Sequence, residues 1–239
     1  MAADPVSARR FLAVDTATEA CSAALWIDGD IREHFDVAGR EHTQKLMPQV
    51  AALMADAGIA FAQLDGIACG IGPGSFAGVR IGVGYVKGLA LALDLPVVGI
   101  SSLAMLALRG MREPGASQVL AAIDARMNEV YVGVYRAAGE GVAALAPLQV
   151  CAPSAVQVPS GRYLAVGSGW ATYGETLRRI DGVELVAAQG DALPHAADAL
   201  QLAVPMFAAG QTISADALVP LYLRDKVALN LEEQAALRR

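Results

Sequence analysis

GIACGIGPGSFAGVRIGVGYVKGLALALDL, residues 66–95, decides how the rest of the chain is read. Ile67 to Ile71 form an apolar run of strand length, Gly72-Pro73-Gly74 a tight turn, and Phe76 to about Leu93 a long helix. Within that helix only Arg80 and Lys87 are charged, so it is apolar nearly all round and calls for cover on most sides. It also carries Gly78, Gly82, Gly84 and Gly88, although each interior glycine costs a helix about 0.5–1 kcal/mol relative to alanine. Ala77, Gly78, Gly82, Gly84, Gly88 and Ala92 share one side, with Val79, Val83, Val86 and Ala90 opposite. The valine side suits packing on the chain's own sheet. The small side invites close approach by a second helix or a second molecule.

Gly72-x-Gly74-x-x-Ala77 also fits a dinucleotide-binding fingerprint between a strand and a helix. It does not open the first βα unit, however, and Asp94, the acid at the expected distance, precedes the next strand instead of ending it. No Gly-Lys-Ser/Thr follows to make a phosphate loop. A tight turn with close helix packing is the preferred reading, and a nicotinamide-dependent oxidoreductase ranks third among the functions considered.

The chain of 239 residues allows one large domain or two small ones. Hydrophobic residues make up 55% and mean hydropathy is +0.43, yet no run of 18 uninterrupted apolar residues occurs, so no membrane-spanning segment is expected. Arg9 and Arg10 are followed only by Phe11 to Val14 before Asp15, too short for a signal-peptide core. Net charge is −6, which does not supply the phosphate-neutralising surface of a nucleic-acid binder; a basic partner would hold most of any nucleic acid. Cys21, Cys69 and Cys151 sit in or beside apolar strand-like segments and read as reduced thiols of a cytoplasmic protein.

Taken in order, FLAVD (11–15), ACSAALWI (20–27) and IREHFDV (31–37) form an antiparallel meander turned at Asp28-Gly29-Asp30. A helix from about Thr43 to Ala57 follows, stopped by Gly58, with Leu46, Met47, Val50, Leu53, Met54 and Ala57 as its apolar stripe; Pro48 either kinks it or marks its start. After the strand and glycine helix comes a strand at 96–100, giving the order βββαβαβ of a ribonuclease-H-like sheet. VLAAIDARMNEVYVGVYRAAGEGV (119–142) then repeats the pattern of residues 12–31, so that Asp15 and Asp124 fall in equivalent places. Arg109 to Ser117 is the linker. Strands at 163–167 and 183–187, a turn at Gly167-Ser168-Gly169, and helices at Tyr173–Ile180 and about His195–Ala209 complete the second half.

Two duplicated ribonuclease-H-like halves define the superfamily of actin, Hsp70 and sugar kinases. DTATEACSAAL (15–25), EHTQKLMP (41–48), GPGSFAGVRIG (72–82), IDARMNEVY (123–131) and PLYLR (220–224) together resemble the TsaB (YeaZ) family, with Ala77 where a threonine is usual. The resemblance implies an α/β fold of two actin-like (ASKHA) domains with mixed five-stranded sheets: residues 1–108, a reduced 109–211, and a tail near 212–239 packing back on the first. It also implies a role in adding threonylcarbamoyl to the adenosine next to the anticodon of tRNAs reading A-starting codons. There the chain would be a non-catalytic scaffold or activator of a TsaD-like ligase, linked through the complex to a TsaE-like ATPase, with tRNA held mostly by the partner and a homodimer when alone.

The residues bear on the non-catalytic reading independently. Catalytic relatives bind metal through His-x-x-x-His on a helix, whereas His34, His42 and His195 include no such pair. His42 reads as a polar end-group of the first helix, and His34 as facing solvent. Superfamily phosphate hairpins place a glycine near each acid; Thr16, Ala17 and Thr18 follow Asp15, and Ala125 and Arg126 follow Asp124. Two readings of Asp15 stand: with Thr16 and Thr18 it is a vestigial phosphate loop binding ATP or ADP weakly, or it closes its strand with local turn bonds. The second is preferred, no tightly bound cofactor or metal is expected, and the alternative function is a small-molecule kinase or ATPase. Ser101 and Ser102 read as caps of the next helix, and no triad or zinc motif supports a protease. Surplus apolar surface on the two first-half helices leads to an expected dimer and partner interface at Leu46, Val50, Leu53, Gly78, Gly82 and Tyr85.

Overall fold

Strand β1 (Arg10–Asp15) pairs antiparallel with β2 (Ala20–Ile27), and β2 with β3 (Asp30–Val37). On its other side β1 pairs parallel with β4 (Gly66–Gly72), and β4 with β5 (Val97–Ser101), giving the order β3-β2-β1-β4-β5. This computed structural model describes residues 9–224. The second sheet contains β6 (Gln118–Arg126), β7 (Glu129–Ala138), β8 (Gly141–Ala144), β9 (Gln149–Cys151), β10 (Gly161–Val166) and β11 (Val183–Gln189). Its order is β11-β10-β6-β7-β8, with β9 also paired to β7. Both sheets thus carry an antiparallel meander on one side of a central strand and two parallel strands on the other. The second has six strands, not the five expected, because β9 is added beside β7.

Helices α1 (His42–Asp56) and α2 (Phe76–Leu93) cover one face of the first sheet. Val79, Val83, Val86 and Ala90 of α2 and Leu46, Val50 and Leu53 of α1 pack with Leu12, Val14, Leu25 and Ile67. Pro48 lies inside α1, which already starts at His42. By length and composition alone α2 could cross a membrane, with mean hydropathy 1.4, a correction to the expectation that no segment could; here its valine side is buried on the sheet.

The opposite face of the first sheet is covered from outside its own stretch of sequence. Helix α5 (Ala196–Ala208) places Ala199, Leu200, Ala203 and Phe207 against Phe11, Ala13, Ala24 and Val98, and the Phe207 ring stacks on Phe11 at 4.3 Å between centroids. By sequence order α5 falls in the range 109–211 given to the second half, yet its apolar side seals the first sheet. Helix α3 (Ser102–Gly110) sends Met105 to that same layer, while Leu103, Leu106 and Ala107 pack on Val119, Ala121, Leu164 and Val166 of the second sheet. Buried Asp198 of α5 pairs with Arg109 and Arg112 at the end of α3, tying the two crossing helices. Helix α4 (Ser168–Leu177) lies earlier than the Tyr173–Ile180 expected, because Gly169 belongs to its first turn, where a Cβ would come within 2.8 Å of Ala122 and Val130.

The tail up to residue 224 packs back on the first half: Ile213 bridges Val97, Ala215 and Leu218 join the core, and the Leu221 amide donates to Ile71 O at 2.8 Å. The rest of the tail, residues 225–239, lies outside the described residues.

Candidate functional site

Between the two sheets lies a cavity of about 430 Å³. The Thr18–Glu19 turn and the start of α2 (Ser75, Phe76) line one side, the Asp124–Met127 turn and Ser168 at the start of α4 the other, and Leu221–Arg224 run along it.

The equivalent acids meet this cavity differently. Asp124 lines it and is fully engaged: its carboxylate accepts from the Arg126 amide at 2.8 Å, from Arg126 Nη1 at 2.9 Å and from the Tyr173 hydroxyl at 3.2 Å. Asp15 does not reach the cavity. It is wholly buried, neither carboxyl oxygen has a hydrogen-bond partner, and the Ala17 amide leans toward it without hydrogen-bond geometry. Burial pushes its pKa up to about 7; the Ala17 amide pulls down and the Glu33 charge adds a smaller push upward. The carboxyl fits only because Gly70 has no side chain, since a Cβ there would land inside it.

Thr16 and Thr18 are spent on local structure. Thr16 Oγ1 donates to Gly78 O at 2.7 Å, and the Thr18 hydroxyl accepts from the Ala20 amide at 3.3 Å. Helix α2 lies directly on this turn: Cβ atoms at Gly74 and Gly78 would overlap the Ala17 and Thr16 carbonyls, and one at Gly82 would sit 2.6 Å from Thr16 Oγ1. The Ser75 amide donates to Ala17 O at 2.7 Å. Of the three residues of the vestigial phosphate loop, only Thr18 lines the cavity. The same contacts give Gly74 a packing role, so the fingerprint glycine faces the chain's own backbone.

The six interface residues need correction. Leu46, Val50 and Leu53 are at most 1% exposed and form the chain's own core. Gly78 and Gly82 are buried against Thr16, so their close backbone approach is internal. Only Tyr85 is half-exposed. The outward side of the helix pair instead presents Met47, Ala51 and Ala55 on α1 and Gly84, Gly88 and Leu91 on α2; Gly84 and Gly88 have open space where a Cβ would stand. A stripe that covers a sheet and a stripe that meets a partner have the same period in sequence, so the period of α1 does not tell them apart, whereas the valine side of α2 lies on the sheet as expected.

The histidines have structural partners. His42 Nε2 lies 2.8 Å from Thr18 O and 3.2 Å from Ala20 O, two acceptors that require it to carry the proton. His34 is 3.5 Å from Asp56 and His195 2.8 Å from Glu33. No group of three potential metal-binding side chains exists among the described residues. Cys21 and Cys69 are buried free thiols, Cys21 pushed up to about 11 by burial and the nearby Asp15, and Cys69 raised for the same reasons; Cys151 is half-buried. Ser101 occupies the N-cap position of α3, but its hydroxyl makes no capping bond.

These features define a mixed two-sheet α/β protein with a cleft between its halves and an outward helix pair on the first. The TsaD family model, described as tRNA N6-adenosine threonylcarbamoyltransferase, matches residues 36–229. A protein of Escherichia coli (strain K12) called tRNA threonylcarbamoyladenosine biosynthesis protein TsaB is 44% identical, over 92% of this chain and 96% of its own. A protein of the same name from Haemophilus influenzae is 38% identical over 90% and 94%. The solved structure of YeaZ from Pseudomonas aeruginosa superposes with a TM-score of 0.85 at 43% identity, covering 90% of this chain and all of the other. The chain belongs to the TsaB (YeaZ) family, paralogous to TsaD. These names favour the tRNA-modification reading over a kinase or ATPase.

Proposed function

We propose that this chain acts in the cytoplasm in forming threonylcarbamoyladenosine on tRNA, as a non-catalytic scaffold or activator of a TsaD-like ligase. Full-length similarity to proteins named for that pathway carries the assignment. The non-catalytic part rests on Asp15: the acid at the end of the central strand is sealed behind Gly70, and the hydroxyl beside it is bonded to α2. The shared strand order of the two sheets supports the duplicated actin-like fold. The same reading gives the cleft at most weak ATP or ADP binding, places a TsaE-like ATPase elsewhere in the complex, and leaves most tRNA contact to the ligase.

The ligase, or a second copy of this chain when the ligase is absent, would dock on the outward side of α1 and α2. An exposed helix with glycines facing open space permits close approach of another helix. Gly84→Trp tests this: the protein should fold with the wild-type far-UV circular dichroism spectrum, lose its homodimer in light scattering and fail to co-purify with the TsaD-like subunit. A dimeric Gly84→Trp protein that still supports modification in a reconstituted assay would place the interface elsewhere. For the scaffold role, the isolated chain should show no turnover of ATP or of tRNA, and its addition should raise the ligase rate at least tenfold.

A further inference from the structure

The cavity between the halves is bridged by the chain itself at two places. Along it runs the segment 221–224. Its Leu221 amide is bonded to Ile71 O, at the end of β4 in the first sheet. Three residues on, the Arg224 guanidinium donates to Ala125 O at 3.2 Å, pairs with Glu129 and approaches Met127 Sδ at 3.6 Å, all in the β6–β7 hairpin of the second sheet. Between these anchors the Tyr222 ring centroid lies 5.1 Å from the Arg80 guanidinium on α2. The second bridge is the pair of Glu19, in the β1–β2 turn, with Arg126, at the end of β6, at 3.2 Å.

The hairpin that receives both bridges is conformationally costly. Arg126, Met127 and Asn128 have φ of 60°, 56° and 59°, three left-handed residues in succession and none of them glycine. Each such residue costs on the order of 1 kcal/mol and persists where its surroundings hold it. The groups that hold this turn include Asp124 from its own strand, Glu19 from the first half and Arg224 from the segment.

We propose that residues 221–224 and the Glu19–Arg126 pair form a clasp that shuts the two halves over the cavity. The spacing of the anchors makes it a single device. A chain of three residues reaches at most about 10 Å, so a rotation that carries the β6–β7 hairpin away from β4 breaks either the Leu221 or the Arg224 anchor. Opening the cleft and releasing the segment are then one event, and loss of one bridge weakens the other although Glu19 and Leu221 belong to different parts of the first half.

Hydrogen exchange on the full-length protein tests this, with the Leu221 amide as reporter and the Leu12 amide of β1 as control for global unfolding. Arg224→Gln should speed exchange at Leu221 about tenfold or more, the effect of one charge-assisted bond, and leave Leu12 unchanged. Glu19→Gln should speed Leu221 about threefold through the second half alone. Should Arg224→Gln fail to fold, Glu129→Gln removes only the partner's charge and should give the same acceleration. Leu221 exchange within a factor of two of wild type in Glu19→Gln and in a folded Arg224 or Glu129 variant would overturn the clasp and reduce both bridges to independent surface contacts.

Discussion

The hairpins that start the two halves differ in the environment of one acid. Asp15 and Asp124 occupy equivalent places beside the first turn of each sheet. The first is dry, unpartnered and titrates near neutrality; the second faces the cavity and is held by Arg126 and Tyr173. What separates them is the neighbouring backbone. In the first half Gly74 and, on α2, Gly78 and Gly82 press onto the turn and Gly70 admits the carboxyl, so the acid is wholly buried and neither oxygen gains a hydrogen bond. In the second half the turn stays open and its acid is satisfied by charge. One strand-end aspartate thus gives either a sealed core position or a solvated bridge, depending on how closely the following helix approaches.

The largest test of this contrast is Gly70→Val. Its side chain would overlap the Asp15 carboxyl within a paired strand that cannot yield, so loss of more than about 4 kcal/mol, an insoluble or unfolded product, is expected. A soluble Gly70→Val protein with wild-type urea midpoint would mean that Asp15 is free to move out of its niche.

Next in size is the pH response of Asp15. The folded carboxyl titrates at about 7 against an ordinary 3.8. The folded state therefore keeps a proton that the unfolded chain has released, and stability falls as pH rises from about 4 to about 7 and stays low above. That interval corresponds to about 4 kcal/mol as an upper bound. Asp15→Asn should remove this fall: it should gain on wild type as pH goes from 4 to 8, read as Tm difference across the range. Asp124→Asn should do something else, costing about 1 kcal/mol through its exposed arginine pair and with an effect reduced by salt. Parallel pH profiles for the two variants would erase the distinction between the hairpins.

The smallest expected effect is at the turn of the second hairpin. Asn128 has φ of 59°, where glycine is at no disadvantage, and Asn128→Gly should stabilise by about 0.5 kcal/mol, seen as a small rise in urea midpoint. A loss would show that the Asn128 side chain contributes a contact of its own.

Much of this was legible in the residues. The bounds of α2 follow from Gly72-Pro73-Gly74 and the charge at Asp94, and its buried valines follow from helical period. The repeat around Asp15 and Asp124 anticipates two strands of like connectivity. What could not be read was destination. Leu46, Val50 and Leu53 fit an interface as well as they fit a core, because periodicity identifies an apolar side without naming what covers it. Gly78 and Gly82 signalled close approach correctly, but the approaching backbone is Thr16, sixty-odd residues earlier in the same chain. Likewise the apolar side of α5 is plain in its sequence, while its choice of the first sheet depends on tertiary fit with Phe11 and Trp26.

That choice has a consequence for the order in which the molecule can be made. A ribosome delivers β1 to β5 well before α5, and until residues near Phe207 emerge one face of the first sheet is covered from α3 only by Met105. The ring of Phe11, buried in the finished protein, waits for a partner almost two hundred residues behind it. The first half therefore completes only once α5 has emerged, after every strand of the second sheet, and a nascent chain that stops short of α5 exposes apolar sheet to whatever binds such surfaces.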